Sequence, residues 1–170
     1  MIAVAAGDSF MKARLRRSLW TGCVATALVF AATCAFAQHD LGYDPAADPF
    51  AQLAEAQAQA ATQGKHILVI AGGDWCIWCH WLDAFLKSNQ DVDAPLEDTF
   101  VVLKVYFGGS DTNEAFFATL PEAVGYPHFW ILNEEGKLLA SQNTVELEDG
   151  DKSYDKASFM TFIKKWKETL

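Results

Sequence analysis

The stretch His66-Ile-Leu-Val-Ile-Ala71 runs straight into Gly72-Gly73 and then Asp-Trp-Cys-Ile-Trp-Cys-His. The first run is apolar and rich in β-branched residues, with no alternation of polar positions. A strand of that kind is buried on both faces, so it needs a layer of structure on each side. Downstream, Trp78, Trp81, Leu82 and Phe85 fall at i, i+3, i+4 and i+7, the stripe of a helix lying on a sheet. The chain therefore passes from a buried strand through a glycine turn into a helix. Cys76 and Cys79 stand at that junction.

The rest of the chain continues the alternation. Residues 38–47 read as a polar, extended leader. Asp48-Pro49 supplies an N-cap and a proline for the first helical position. Phe50, Leu53, Ala54, Ala58 and Ala61 then form a helical face, ended by Gly64. Phe100 to Phe107 is a second strand, closed by Gly108-Gly109. Asp111 with Glu114 resembles a capping box for a short helix carrying Phe116, Phe117 and Leu120, and Pro121 ends it. His128 to Leu132, the turn 133–136 and Lys137 to Ala140 predict a hairpin. Phe159, Phe162, Ile163, Trp166 and Leu170 form the stripe of a final helix. The predicted order is helix, strand, helix, strand, helix, hairpin, helix, an α/β fold with a mixed sheet and no internal repeat.

The N-terminus reads as a targeting segment. Lys12, Arg14, Arg16 and Arg17 precede an uncharged, mostly apolar run from Ser18 to Thr33, and Ala35-Phe36-Ala37 offers a peptidase its small residues. The expectation is a signal peptide over 1–37, cleaved before Gln38. The alternative is a retained anchor, for which the run is short against the roughly 20 residues of a spanning helix. The reading is a periplasmic or secreted protein with no stable membrane insertion after cleavage. Residues 38–64 are then a leader and helix, and 65–170 the main domain. Four of the 13 Lys and Arg and one of the 22 Asp and Glu precede residue 38, which leaves nine bases against 21 acids, a net charge of −12. Such a surface repels phosphate backbones and excludes nucleic acid as a partner.

Beyond residue 37 only Cys76 and Cys79 remain of the 4 cysteines. Disulfides persist outside the cytosol, yet the single one available here closes a tiny loop. Such closure stabilises a fold less than closure of a long loop. A bond of so little structural use is one to be made and broken. At a helix start, free N–H groups and the helix dipole favour thiolate, the nucleophilic form. Cys76 is thus the expected attacking sulfur, and Cys79, one turn inside, the resolving one.

Trp75-Cys76-Ile77-Trp78-Cys79 after a buried strand, with Val124-Gly125-Tyr126-Pro127 directly before the hairpin, resembles the thioredoxin-like proteins over roughly Lys65 to Leu170. The resemblance implies a thioredoxin-like fold, a central mixed sheet flanked by helices, here with an N-terminal helical extension. It implies a thiol–disulfide oxidoreductase acting on exported proteins with thiols or disulfides, with no cofactor beyond the Cys76–Cys79 disulfide and with an unidentified electron-transfer partner. Pro127 would be cis, Tyr126 would pair its backbone with the substrate peptide, Trp75 and Ile77 would border the substrate, and Trp78 is either an exposed docking ring beside it or part of the helix's buried face. The chain departs from the thioredoxins proper at Ile70, where they carry a buried carboxylate. It departs also at Ile77-Trp78 between the cysteines, and at Tyr126 and His128 around the proline. Lys104 approximates their buried lysine or points to solvent. Lacking the proline–histidine of strong periplasmic oxidants, the cysteine pair leans towards reductase. Trp81 and Trp130 read as core, and Asp74 as a helix cap.

Two other chemistries fit the same letters. Cys76, Cys79 and His80 match a covalent c-type haem site, with Met160, His66 or His128 as candidate sixth ligands. Cys76 and Cys79 joined by His128 would make a soft set for copper(I) or zinc, although the pair alone gives too few ligands and no metal is expected. A thioredoxin-shaped binding module without turnover is the remaining alternative, against which both sulfurs weigh.

Overall fold

The computed structural model describes residues 40–109 and 112–170. The signal-peptide reading and Asp111 of the expected capping box lie outside them. Ten elements follow in order: α1 (Pro49–Gln63), β1 (His66–Gly72), α2 (Ile77–Ser88), α3 (Gln90–Thr99), β2 (Phe100–Tyr106), α4 (Glu114–Phe117), β3 (His128–Leu132), β4 (Leu138–Asn143), a 3-10 turn (Thr144–Leu147) and α5 (Lys156–Lys167). The sheet order is β2-β1-β3-β4. β1 runs parallel to β2 and antiparallel to β3, and β3 is antiparallel to β4.

Every residue of β1 is buried, and its alternating side chains serve two cores. Leu68 and Ile70, with Phe129 and Ile131 of β3, face α2, α3 and α5. Ile67, Val69 and Ala71, with Trp130 and Leu132, face α1 and Phe116 of α4. The cysteines belong to the first of these cores. The fold is the mixed, helix-flanked sheet that the sequence predicts.

Several local expectations change. Asp48 caps α1 through its side chain, Pro49 opens it and Gly64 closes it with φ 64°. Its buried face, however, is Pro49, Ala56 and Ala60, with Leu53 partly buried; Ala54, Ala58 and Ala61 are exposed. α3 has no counterpart in the predicted order. Its acidic sequence, broken by Pro95, sends only Val92, Leu96 and Thr99 inward, too sparse a stripe to stand out. α4 starts from Asn113, in the left-handed region, whose side chain makes no cap bond to the helix. In α5, Phe159, Phe162, Ile163 and Trp166 are buried, whereas Leu170 lies past the helix end and is 53% exposed.

The leader differs most. Leu41 and Tyr43 are buried within the core beneath α2. Lys104 Nζ donates to the Leu41 carbonyl at 2.6 Å and lies 5.7 Å from the Tyr43 ring centroid, a cation over an aromatic face. Gly42 turns the chain between them at φ 81°. Lys104 is therefore neither solvent-directed nor free: it ties the leader to β2.

Candidate active site

The turn after β1 is drawn tight by close approach. A Cβ on Gly72 would lie 2.5 Å from Cys79 Sγ and 2.8 Å from the Tyr43 hydroxyl, and one on Gly73 would lie 2.6 Å from Trp75 Nε1. Only residues without a side chain fit. The Gly73 carbonyl accepts from Cys76 N at 2.9 Å, and the chain enters α2 with Cys76 as its N-cap. Cys79 N–H points at Cys76 Sγ, 3.2 Å away. Asp74, the expected cap, is exposed and makes no such contact. A sulfur in the cap position takes the hydrogen bond that a hydroxyl or carboxylate usually takes, so the helix start favours negative charge on Cys76.

Cys76 and Cys79 are joined in a disulfide, with Cα atoms 5.2 Å apart. They are 4% and 3% exposed, so exposure hardly distinguishes them; position on the helix does. Around them stands an aromatic rim. Trp75 is 53% exposed, donates from Nε1 to the Phe107 carbonyl at 2.6 Å, and meets Tyr126 edge-on at 5.6 Å. Tyr126 in turn stacks on Phe107 at 4.4 Å. Its hydroxyl is pushed above the ordinary range by burial, then by Glu122. The Tyr126–Pro127 peptide is cis, and Thr144 Oγ1 donates to the Pro127 carbonyl at 2.7 Å. Ile77 is 55% exposed.

Trp78 is placed differently from its neighbours. It is partly buried, edge-on to Trp81 at 4.5 Å and to Tyr154 at 5.9 Å, and the Tyr154 hydroxyl donates to its carbonyl at 3.3 Å. Trp81 is only partly buried, while Trp130 is fully so. His80 donates from Nε2 to the Asp74 carbonyl at 2.8 Å. His128 is buried on the opposite side of β3, against Trp130 at 4.6 Å, with Nε2 2.8 Å from Ser141 Oγ. Burial lowers its pKa. The set Cys76, Cys79 and His128 is not brought together, and among the described residues no His, Cys, Asp or Glu group has metal-binding geometry.

Beneath α2 lies a cavity of about 490 Å³ bordered by Tyr43, Ile70, Cys79, Asp83 and Lys104. Lys104 Nζ lies 3.9 Å from Asp83, which also pairs with Lys87 at 2.8 Å. Desolvation lowers the Lys104 pKa, with Asp83 opposing. Three of these site neighbours escape a reading of the sequence. Phe107 looks like a strand end, Asp83 like one more helix-surface acid, and Tyr43 like part of a polar leader. The one available signal was the i, i+2 spacing of Leu41 and Tyr43, a period that suits an extended segment lying on a core.

A family model described as thioredoxin-like matches residues 48–134. Among solved structures, the chain is similar to a disulphide isomerase from Xylella fastidiosa Temecula1 at 29% identity and a TM-score of 0.64, covering 75% of this chain and 97% of that one. It overlaps much more loosely with an HIV epitope scaffold (16% identity, TM-score 0.34) and a Pseudomonas aeruginosa protein of unknown function (17%, 0.32), each covering 68% of this chain and 74% of the other. No curated protein matches it significantly.

Proposed function

Because the chain belongs to the thioredoxin-like family, we propose that it is an exported thiol–disulfide oxidoreductase working through Cys76 and Cys79. The observation that carries this is the backbone N–H aimed at Cys76 Sγ from the start of α2, in a disulfide bordered by exposed Trp75 and Ile77. The likeness to a solved disulphide isomerase supports the same chemistry. In the reducing direction, Cys76 thiolate attacks a partner disulfide, forms a mixed disulfide and expels one partner thiolate. Cys79 then attacks Cys76 Sγ, reforms the internal disulfide and expels the second thiolate. Two electrons pass to the partner, and the two thiolates it gains take protons from solvent.

The substrate segment crosses the Trp75–Tyr126–Phe107 rim, with Tyr126 pairing its backbone beside cis Pro127, as the family resemblance implies. Ile77 offers the peptide an exposed apolar contact, and Trp78 supports the helix from behind. The clients are periplasmic or secreted proteins with thiols or disulfides, and a separate electron donor renews the reduced pair. No cofactor or metal enters this scheme. Cys79→Ser expressed in the native host is expected to accumulate mixed disulfides through Cys76, read by mass spectrometry, and Cys76→Ser to reduce insulin only at background rate. No captured client together with unimpaired insulin reduction by Cys76→Ser would refute the reading. Equilibration with glutathione buffers measures the potential; a reductase places it below that of the strong oxidants.

A further inference from the structure

The resolving step described above needs Cys79 to lose a proton while it is buried, and burial alone opposes a thiolate. At position 70 the strand offers only isoleucine, packed in the apolar core. A polar atom near this sulfur comes instead from the leader. A point 2.5 Å from Cys79 Sγ and 2.8 Å from the Tyr43 hydroxyl, directly over Gly72, shows that sulfur and hydroxyl flank one notch. Three features fix Tyr43 there: Leu41 is buried beside it, Lys104 grips the Leu41 carbonyl, and the same ammonium stands over the Tyr43 ring.

We propose that Tyr43 is a positioning residue for the resolving cysteine, its hydroxyl donating a hydrogen bond to Cys79 Sγ once the disulfide opens. The inference rests on the oxidoreductase reading. In the reduced protein Cys79 S–H releases its proton to solvent. The Cys79 thiolate, stabilised by the Tyr43 O–H, attacks Cys76 Sγ in the mixed disulfide. A Cys76–Cys79 bond forms, the bond from Cys76 to the partner sulfur breaks, and the partner thiolate leaves with the electron pair and is protonated by solvent. Tyr43 keeps its own proton throughout. Burial, followed by Tyr154, Asp83 and Asp74, holds its hydroxyl protonated far above neutral pH, which preserves it as a donor. The other charges facing the cavity are Lys104 on β2, Lys87 on α2, and Asp93 and Glu97 on α3.

The test is a single-turnover reaction of the reduced full chain, with Cys23→Ser and Cys34→Ser so that only the site sulfurs react, with dithiobis(nitrobenzoic acid), whose coloured thiolate is released once when Cys76 attacks and again when Cys79 resolves. For Tyr43→Phe the first release is expected at the wild-type rate. The second is expected to slow about ten-fold at neutral pH, its inflection moving up by about one unit. A loss of packing alone would lower the unfolding midpoint without moving that inflection. In reduced wild type, the Tyr43 ring NMR signals should shift through the Cys79 titration, a measurement that needs no variant to fold. If both releases and the inflection match wild type, or the ring signals ignore the titration, Tyr43 has no such role. If the wild type itself releases no thiolate, the oxidoreductase reading falls and this one with it.

Discussion

At the level of single residues, the site is governed by how closely Gly72 lets sulfur, hydroxyl and backbone approach. Gly72→Ala forces a methyl against Cys79 Sγ and the Tyr43 hydroxyl. Overpacking of a tight interior costs about 1–3 kcal/mol, so the variant is expected to unfold at clearly lower urea concentration. A midpoint equal to wild type would mean that the turn yields. Trp75 works at the other end of the site, as a half-exposed ring pinned by its Nε1 bond to Phe107. Trp75→Ala should raise KM for a protein disulfide such as insulin by about five-fold, the equivalent of roughly 1 kcal/mol of aromatic contact. Glutathione disulfide, too small to span the rim, should show little change. Equal effects on both would mean that Trp75 shapes the cysteines rather than the client.

Among the elements, the leader has more energetic weight than its polar sequence suggests. Leu41 is 2% exposed, and emptying such a site costs about 2–5 kcal/mol. Leu41→Ala should therefore lower the denaturation midpoint substantially, and calorimetry of the two proteins checks it. The strands, α2 and the hairpin were legible because burial imposes a strong period on their residues: β1 has no polar side chain after His66, and Trp78 to Phe85 repeats as a helix must. α3 was hidden because Pro95 and four acids mask its two apolar contacts. The inward face of α1 differs from the expected one because alanines occur all round that helix, and periodicity cannot choose between them. In the site, Cys76 and Cys79 stood out by type and spacing. Tyr43, Phe107 and Asp83 join them only through tertiary contact, which no local pattern encodes.

Over the whole molecule, protonation couples to stability through two histidines sunk in the protein. His66 and His128 each have Nδ1 buried without a partner, and burial lowers both pKa values from 6.5. The unfolded chain then binds protons that the folded chain refuses. Their contribution is complete above about pH 6.5 and is lost as pH falls from there through the folded values. Asp91 and Asp155, held below 3.8 by Lys156 and Ser158 respectively, act only at more acidic pH. Urea midpoints are thus expected to drop between pH 7.5 and 5. His128→Gln, which retains an amide to meet Ser141, should flatten the slope. An unchanged slope would place the titration elsewhere.

The core around the cysteines is closed from both directions of the chain: by Leu41 and Tyr43 ahead of α1, and by Phe159, Phe162, Ile163 and Trp166 in α5. Residues 48–134, the part shared with the family, contain none of these side chains. A recombinant fragment trimmed to that shared segment would keep the Cys-x-x-Cys letters yet leave their hydrophobic floor open to water. It would report on an exposed dithiol rather than on the folded site.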